Sequence, residues 1–448
     1  MITYEDLVAA RGRSEVEVQR LMRSAVTAHI GSELYRTAAE AVLYDRRHNA
    51  TIERYQKLLY TMSGRAVPDN YAANHKVKSL FFPYFITQEV GYLLGNGVTF
   101  QKPDTKARLG RSFDREIMNA AHDALVQAAS YVFWNYDRIT HFTPADFVPL
   151  YSCENGGLCA GIRWWTIDAA KPTRYTLYEM DGYTEYRTAV DDGLEVIAPK
   201  RPYKTLVRTS AADGVEIIGG ENYKDFPIVP LYADRYRQSR LVGLREAIDC
   251  YDLIKSGLAN DVDEASVLYW TLTNAGGMDN IDLIKFRENL KTTHFGKIDD
   301  DVKLESHAVD PPYEAREMAL QKLSDDLYRD AMALDVRQVQ GANVTATQIR
   351  FNYEPLDKKA DEFEAQVTAC IAGILAIAGI EDEPTYSRSR ITNQYEETQM
   401  VMLAAPHLDD ETIVRKLPFL STDEQEKVLE RRDSLAGARF GGAAYNKA

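Results

Sequence analysis

Apolar residues recur at helical spacing among charges through residues 14–62, where Val16, Val18, Leu21, Met22, Leu34, Ala38, Ala41 and Val42 mark one face. That period predicts helix. Gly64 and Pro68 then punctuate the chain. Residues 74–100 predict a helix carrying Pro83, ending at Gly91 or Gly95 and running into a short strand, Val98–Phe100. A further helix is predicted over 112–134, with Ile117, Ala121, Leu125, Ala128 and Val132 in step. From about 142 to 233 the pattern turns to strands. Phe147–Ser152 and Leu158–Trp165 flank Glu154-Asn155-Gly156-Gly157, a hairpin signal because Asn and Gly tolerate positive φ. Tyr175–Met180, Thr184–Val190 and Thr205–Arg208 follow, so this part is β-rich and antiparallel.

Helix returns at about 239, where Leu241, Leu244, Ile248, Tyr251, Ile254, Leu258 and Val262 form a sustained stripe. About 29 residues of helix would run roughly 43 Å before Gly276-Gly277 breaks it. A short mixed segment, 278–306, carries the acidic run Asp299, Asp300 and Asp301. Pro311-Pro312 opens a second long helix with Leu320, Leu323, Leu327, Ala331 and Leu334 on one face. A polar stretch, 335–352, leads to a third helix over 357–379, with Phe363, Val367, Ile371, Ile374 and Ala378 in step. Helices are also expected at about 392–404, 410–417 and 421–435, the last opened by a capping box, Ser421 with Glu424. Single stripes of this kind cannot bury themselves. They need neighbouring helices, in the same chain or in copies of it.

Composition narrows the function classes. The chain has 448 residues, 45% hydrophobic and 27% charged, enough for two or more domains or layers around ordinary cores. Its net charge is -14, so it repels nucleic acid on average. That suits an acidic enzyme, and equally a wall past which DNA slides without sticking. Tyr (27) far outnumbers Trp (4), a weak pointer to surfaces half buried against a partner. Cys153, Cys159, Cys250 and Cys370 make no C-x-x-C pair, so reduced thiols are expected, even though Cys153 and Cys159 sit on opposite arms of one hairpin. The N-terminus does not read as a signal peptide. The longest apolar stretch, within Val367–Ile380, is too short to span a bilayer, and no membrane partner is expected.

Catalytic motifs are missing. Gly296-Lys297 has Lys291 where a phosphate-cradling loop needs its first glycine, and Ile298 follows the lysine. Gly91, Gly95 and Gly97 do not follow a strand, so helix termination explains them better than a dinucleotide site. The eight histidines, His29, His48, His75, His122, His141, His294, His307 and His407, form no metal-ligand spacing. No catalytic residue, metal or cofactor is expected, and ATP-driven work would fall to another protein. The pairs Asp191-Asp192, Asp325-Asp326 and Asp409-Asp410 could in principle hold magnesium for a nuclease, but adjacent carboxylates more often cap helices or face solvent. Pro311-Pro312-Tyr313 resembles a WW-domain ligand, though proline before a helix needs no partner. The candidate site is the polar loop 335–343, with Arg337, Gln338, Val339, Gln340, Gly341 and Asn343. It reads either as a solvated turn or as a loop reaching into a channel, where short-lived phosphate contacts would grip without trapping.

Three fragments in order carry a resemblance. VKSLFFPYFITQEVGYLLGNGVTF is similar to a helix ending in a Tyr-Leu-Leu-Gly-Asn turn. FPIVPLYADRYRQSRLVGLREAIDCYDLIKSGLANDVDEASVLYWTLTNAGG is similar to a strand, spacer and stem helix, and SRSRITNQYEETQMVMLAAPHLDDETIVRKLPFLSTDEQEKVLE to a set of closing helices. Together they resemble the portal (connector) proteins of siphophages that infect Gram-positive bacteria. The resemblance implies an α+β, mainly helical fold of portal type, assembled as a ring, usually of twelve subunits. Residues 1–238 would form a wing, 239–275 and 311–333 the two stem helices, and 276–310 a clip. Residues 334–343 would be the tunnel loop, 344–379 the tunnel helix and 380–448 a short helical crown. It implies passage of double-stranded DNA into and out of a capsid, packaging by a terminase docked at the clip, and head-completion, adaptor, capsid and scaffolding proteins as partners. Asp299, Asp300 and Asp301 would face those partners. The expected location is the capsid vertex of the virion, after assembly in the host cytoplasm. Two readings stay open beside it, another capsid or tail structural protein and a magnesium-dependent nuclease.

Overall fold

The computed structural model describes residues 2–61, 63–70, 72–168, 170–189, 193–210, 214–265, 269–273, 281, 284–285, 303–307, 313–338, 346–389, 394–417, 427–429 and 431. The fold is α+β. Helices Tyr4–Arg11, Glu15–Ile30, Glu33–Asp45 and Ala50–Arg54 open the chain. Each of the last three is started by a side chain that accepts from the exposed first turn: Ser14 from Glu17, Ser32 from Tyr35, and Asn49 from Thr51 and Ile52. The helical stretch expected over 14–62 is therefore three helices, and its end is instead a strand, Leu58–Tyr60, paired with Ala66–Pro68.

The helix expected across 74–100 spans only Phe81–Leu94. Pro83 falls in its first turn, where a missing N–H is harmless. The next helix is Phe113–Gln127, not 112–134. Ala128 turns to a left-handed φ of 73°, and Ala129–Asn135 continues as a strand. A continuous apolar run does not distinguish a buried helix from a central strand. Here Ala129–Asn135 is the middle of a three-stranded sheet, between Ile228–Tyr232 and Arg138–Phe142.

A five-stranded antiparallel meander follows, Phe147–Tyr151, Leu158–Trp165, Arg174–Glu179, Gly182–Thr188 and Leu194–Arg201. Its alternation puts Leu150, Ile162, Leu177 and Tyr186 under Leu7, Val18, Met22 and Val26 of the first two helices. Gly161 is required here, since a Cβ would meet the Phe147 ring at 2.0 Å. The larger core joins the helices Phe81–Leu94 and Phe113–Gln127 to Phe363, Val367, Ile371 and Ile374 of a long C-terminal helix.

Two helical rods then pack together, Arg245–Ala265 and Tyr313–Asp330. The first is shorter than the 239–275 expected. Residues 239–244 form a turn, with the Ser239 hydroxyl donating to the Val126 carbonyl (2.6 Å) and Gly243 at φ 87°. Beyond it Tyr269–Thr273, rich in aromatic and β-branched residues, pairs with Lys303–His307. The long helix spans Ala346–Ala378, longer at its start than 357–379, and runs through Pro355. Pro384–Tyr386 returns to pair with Val98–Phe100, and Gln394–Ala404 and Asp410–Arg415 follow. Asp409 caps the latter, accepting from Thr412. The capping box at Ser421 and Glu424 lies outside the described residues.

Candidate functional site at the root of the polar loop

The polar loop leaves the second rod where several elements converge, and the sequence supplies each contact. Rod one carries Asp252, Ser256 and Asn260 four residues apart, so they line one face. Against that face runs the extended segment before Phe81, with no strand to pair with. Its backbone donors go to the stripe instead: Ser79 N–H to Asp252 (2.8 Å), Val77 N–H to Ser256 (2.9 Å) and His75 N–H to Asn260 (2.5 Å). Asn49 donates to Asp252 and Asp249, both at 2.9 Å, tying in the N-terminal helices. Burial raises the Asp252 carboxyl above its ordinary range, and the Ser79 and Asn49 hydrogen bonds only partly offset it.

At the rods' base sits Glu89, fully buried in the helix Phe81–Leu94. Its carboxylate meets Arg240 at 2.9 Å and Lys359 at 2.7 Å, and Arg240 also approaches Asp234 at 3.6 Å. Lys359 in addition donates to the Ala331 carbonyl at 3.0 Å. One carboxylate thus joins the turn before rod one, the end of rod two and the long helix. Gln88, one residue earlier, brackets the Leu334 peptide, accepting from its N–H (2.8 Å) and donating to its carbonyl (2.9 Å). Phe81 packs edge-on against Tyr251 and Tyr328, with ring centroids 5.0 and 5.9 Å apart, so one helix touches both rods.

Immediately beyond lies a single turn, Val336–Gln338. The Arg337 guanidinium is engaged: Nε and Nη2 bond the Asp335 carboxylate at 3.0 and 2.8 Å, Nη2 reaches Ser324 at 3.4 Å, and the group lies over the Tyr328 ring. Burial works against the Asp335 charge, but the Arg337 hydrogen bonds prevail and hold that carboxyl below its usual range. Val339, Gln340, Gly341 and Asn343 lie outside the described residues, as do Asp299, Asp300, Asp301 and the pair Asp191-Asp192. Asp326 is held by Lys322 (3.1 Å) and Arg329 (2.9 Å) of its own helix, the surface role of a paired carboxylate rather than a metal ligand. Among the described residues no group of His, Cys, Asp or Glu is arranged to hold a metal ion. No helix among them is long and apolar enough to cross a membrane.

Glu89 and Arg388 are among the groups that escaped the sequence reading. Glu89 had a signal, a lone acid inside FFPYFITQEVGYLL. Arg388 did not. It reaches Asp357 (3.1 Å), Asp361 and Glu364 (2.8 Å) on one face of the long helix, and Tyr92 donates to Asp357 at 2.5 Å. The carboxylates outweigh partial burial and raise the Arg388 pKa further.

The model of the family described as phage portal protein, SPP1 Gp6-like, matches residues 43–437. The chain belongs to that family. Two relatives bear the name portal protein. That of Clostridium phage phiCD119 is 25% identical over 410 residues, 84% of this chain and 88% of its own. That of Bacillus phage SPP1 is 22% identical over 416 residues, 84% of this chain and 79% of its own. A chain from the neck of an empty gene transfer agent particle superposes with a TM-score of 0.45 at 10% identity, over 79% of this chain and 90% of that one. Another, from the virion of a native gene transfer agent particle, gives 0.43 at 10% identity, over 78% and 89%. The portal-family match takes in both rods, the loop root and the long helix. The helices Tyr4–Arg11 and Glu15–Ile30 precede it.

Proposed function

We propose that this portal-family chain is one subunit of a closed ring, expected to hold twelve copies, set at a capsid vertex of the virion. Double-stranded DNA passes through the ring on packaging and again on ejection. The chain does no chemistry and binds no cofactor; a terminase docked on the clip, 276–310, supplies the work. Head-completion and adaptor proteins later take the same face, with Asp299, Asp300 and Asp301 among its contacts, while capsid and scaffolding proteins surround the wing, 1–238. Assembly takes place in the host cytoplasm.

The observation that carries this reading is the family match across the two packed rods and the helix behind them. In the same reading 239–275 and 311–333 are the stem, 334–343 the tunnel loop, 344–379 the tunnel helix and 380–448 the crown. Arg337, bound to Asp335, stiffens the loop root. Gln338, Val339, Gln340, Gly341 and Asn343 form the part that meets the backbone, sequence-independently and briefly, because the chain's net charge of -14 keeps DNA from settling. Negative-stain imaging of the purified protein tests the ring, and a pore-free monomer under every condition rejects it. Gln340→Ala with Asn343→Ala should lower DNA packaging while rings still form. Unchanged packaging rejects the loop's role.

A further inference from the structure

Between the helix Ala50–Arg54 and the extended segment, 75–79, that lies along rod one, the chain makes a small arm. Leu58–Tyr60 pairs with Ala66–Pro68, Leu59 opposite Val67, and Gly64 closes the turn at φ 76°. Leu58, Leu59 and Tyr60 are 51%, 46% and 74% exposed. Alternate side chains leave a strand on opposite faces, so both faces of the arm carry a bare apolar group. None of the three belongs to the hydrophobic clusters formed by the described residues. An isolated two-stranded ribbon is marginal in water, and exposed apolar side chains on it ask for a cover.

Charge indicates what the cover is. From residue 53 to 78 the sequence has Arg54, Lys57, Arg65, Lys76 and Lys78 against Glu53 and Asp69, with Lys78 paired to Glu53, a basic stretch in a chain of net charge -14. Rod one has the reverse balance, with six carboxylates against Arg245 and Lys255 between residues 245 and 265; Glu246 and Asp263 are exposed, while Asp252 is buried and Asp261 is paired with Arg316. Beside the rods lies an open cleft of about 420 Å3, lined by Leu253, Gly257, Ala315, Arg316 and Ala319 of the rods and by Tyr55 and Lys57 at the root of the chain's own arm. On the rods Leu253, Val262 and Met318 are 42%, 58% and 71% exposed, apolar groups that a docked arm would cover. Copies of so acidic a chain repel one another, and a basic arm meets a second copy with less repulsion than the chain's average surface. Nucleic acid would use its cations but gain little from Leu58 and Leu59.

We propose that the arm Leu58–Pro68 is an intersubunit clasp, laid on the paired rods of the next copy. This rests on the ring reading. Arm and rods are different surfaces, so the contact is head-to-tail, the kind that closes a cyclic ring.

A benzophenone amino acid in place of Tyr60 tests it, with imaging of the same sample. Irradiated rings should give a ladder of joined copies, the adducts mapping to residues 245–265 or 313–330. Intact rings without joined copies, or with adducts only elsewhere, overturn the clasp and leave the ring standing. Absence of rings in the unmodified protein overturns both. Adducts to added DNA instead of protein overturn the clasp in favour of a nucleic-acid contact. Leu58→Ser with Tyr60→Ser should raise the concentration at which rings dissociate about tenfold or more, with unchanged far-UV circular dichroism. Unaltered dissociation also overturns it.

Discussion

The N-terminal helices rest on the five-stranded sheet through an apolar layer of Leu7, Val18, Met22, Leu150, Ile162 and Leu177, with ion pairs such as Arg11–Glu179 at its rim. The long helix shares an apolar cluster with the base of the rods too, Ile248 and Leu327 with Phe363, but this joint also holds buried charges, Glu89 with Arg240 and Lys359. Apolar layers are non-directional and accept small slides or swaps of similar volume. A buried carboxylate between two cations accepts one arrangement, because any slip leaves a desolvated charge without its partner. The sheet joint holds a domain together, whereas the rod joint fixes a register. The loop that we propose meets a channel needs the second property.

The sharpest way to break this comparison is Glu89→Ala. It strands the largely buried Arg240 and Lys359 without their carboxylate, and loss of one member of a buried ion cluster costs about 3–5 kcal/mol. Urea unfolding should show that loss. A loss below about 1 kcal/mol would mean that water reaches the cluster and that it fixes no register.

Asp252→Ala comes next. It removes the acceptor of the Ser79 N–H and of Asn49, and an orphaned buried donor costs about 1–3 kcal/mol. The loss should be local, with faster amide exchange at residues 75–79 than at the sheet. Uniform exchange would show that the polar stripe does not hold the segment.

How much of this was legible in the sequence follows the same division. Leu158–Trp165 was readable to the residue, because Asn155-Gly156-Gly157 marks the hairpin turn that opens it. The break at Ala128 was not, because Ala129–Asn135 is buried on both faces and its apolar run fits helix as well as strand. Asp252, Ser256 and Asn260 lie off the apolar stripe, and nothing local in the sequence shows that a distant backbone will claim them. Arg337 was read as a cation for phosphate, and its Asp335 partner lay two residues away among other polar side chains. Apolar order is written locally. Polar wiring depends on which segments meet.

On the apolar side, Ile162→Val should cost about 0.5–1.5 kcal/mol, the usual effect of one buried methyl. The denaturant slope should not change, because the layer can settle around the gap. A loss matching that of Glu89→Ala would erase the distinction between the two joints.

The smallest effect tests a contact between these extremes, half in water. His122 lies 3.4 Å from Asp45 and 3.7 Å from Asp123, and His141 meets Asp123 at 2.8 Å, so three elements share one charge cluster. The Asp123 and Asp45 carboxylates raise the His122 pKa to about 9. Burial opposes the Asp123 charge, yet the His122 and His141 hydrogen bonds bring that carboxyl down to about 2. A raised histidine contributes stability below its unfolded value of about 6.5 and loses it as pH rises through about 9. A lowered aspartate contributes above about 4 and loses it as pH falls through about 2. The cluster therefore supports the fold most between about pH 4 and 6.5. Partly exposed pairs contribute on the order of 1 kcal/mol or less, so the thermal midpoint should fall only slightly between pH 6.5 and 9. His122→Asn should flatten that decline while leaving the acid limb to Asp123 and His141. An unchanged decline in the variant would assign the titration to another group and leave this joint as neutral packing.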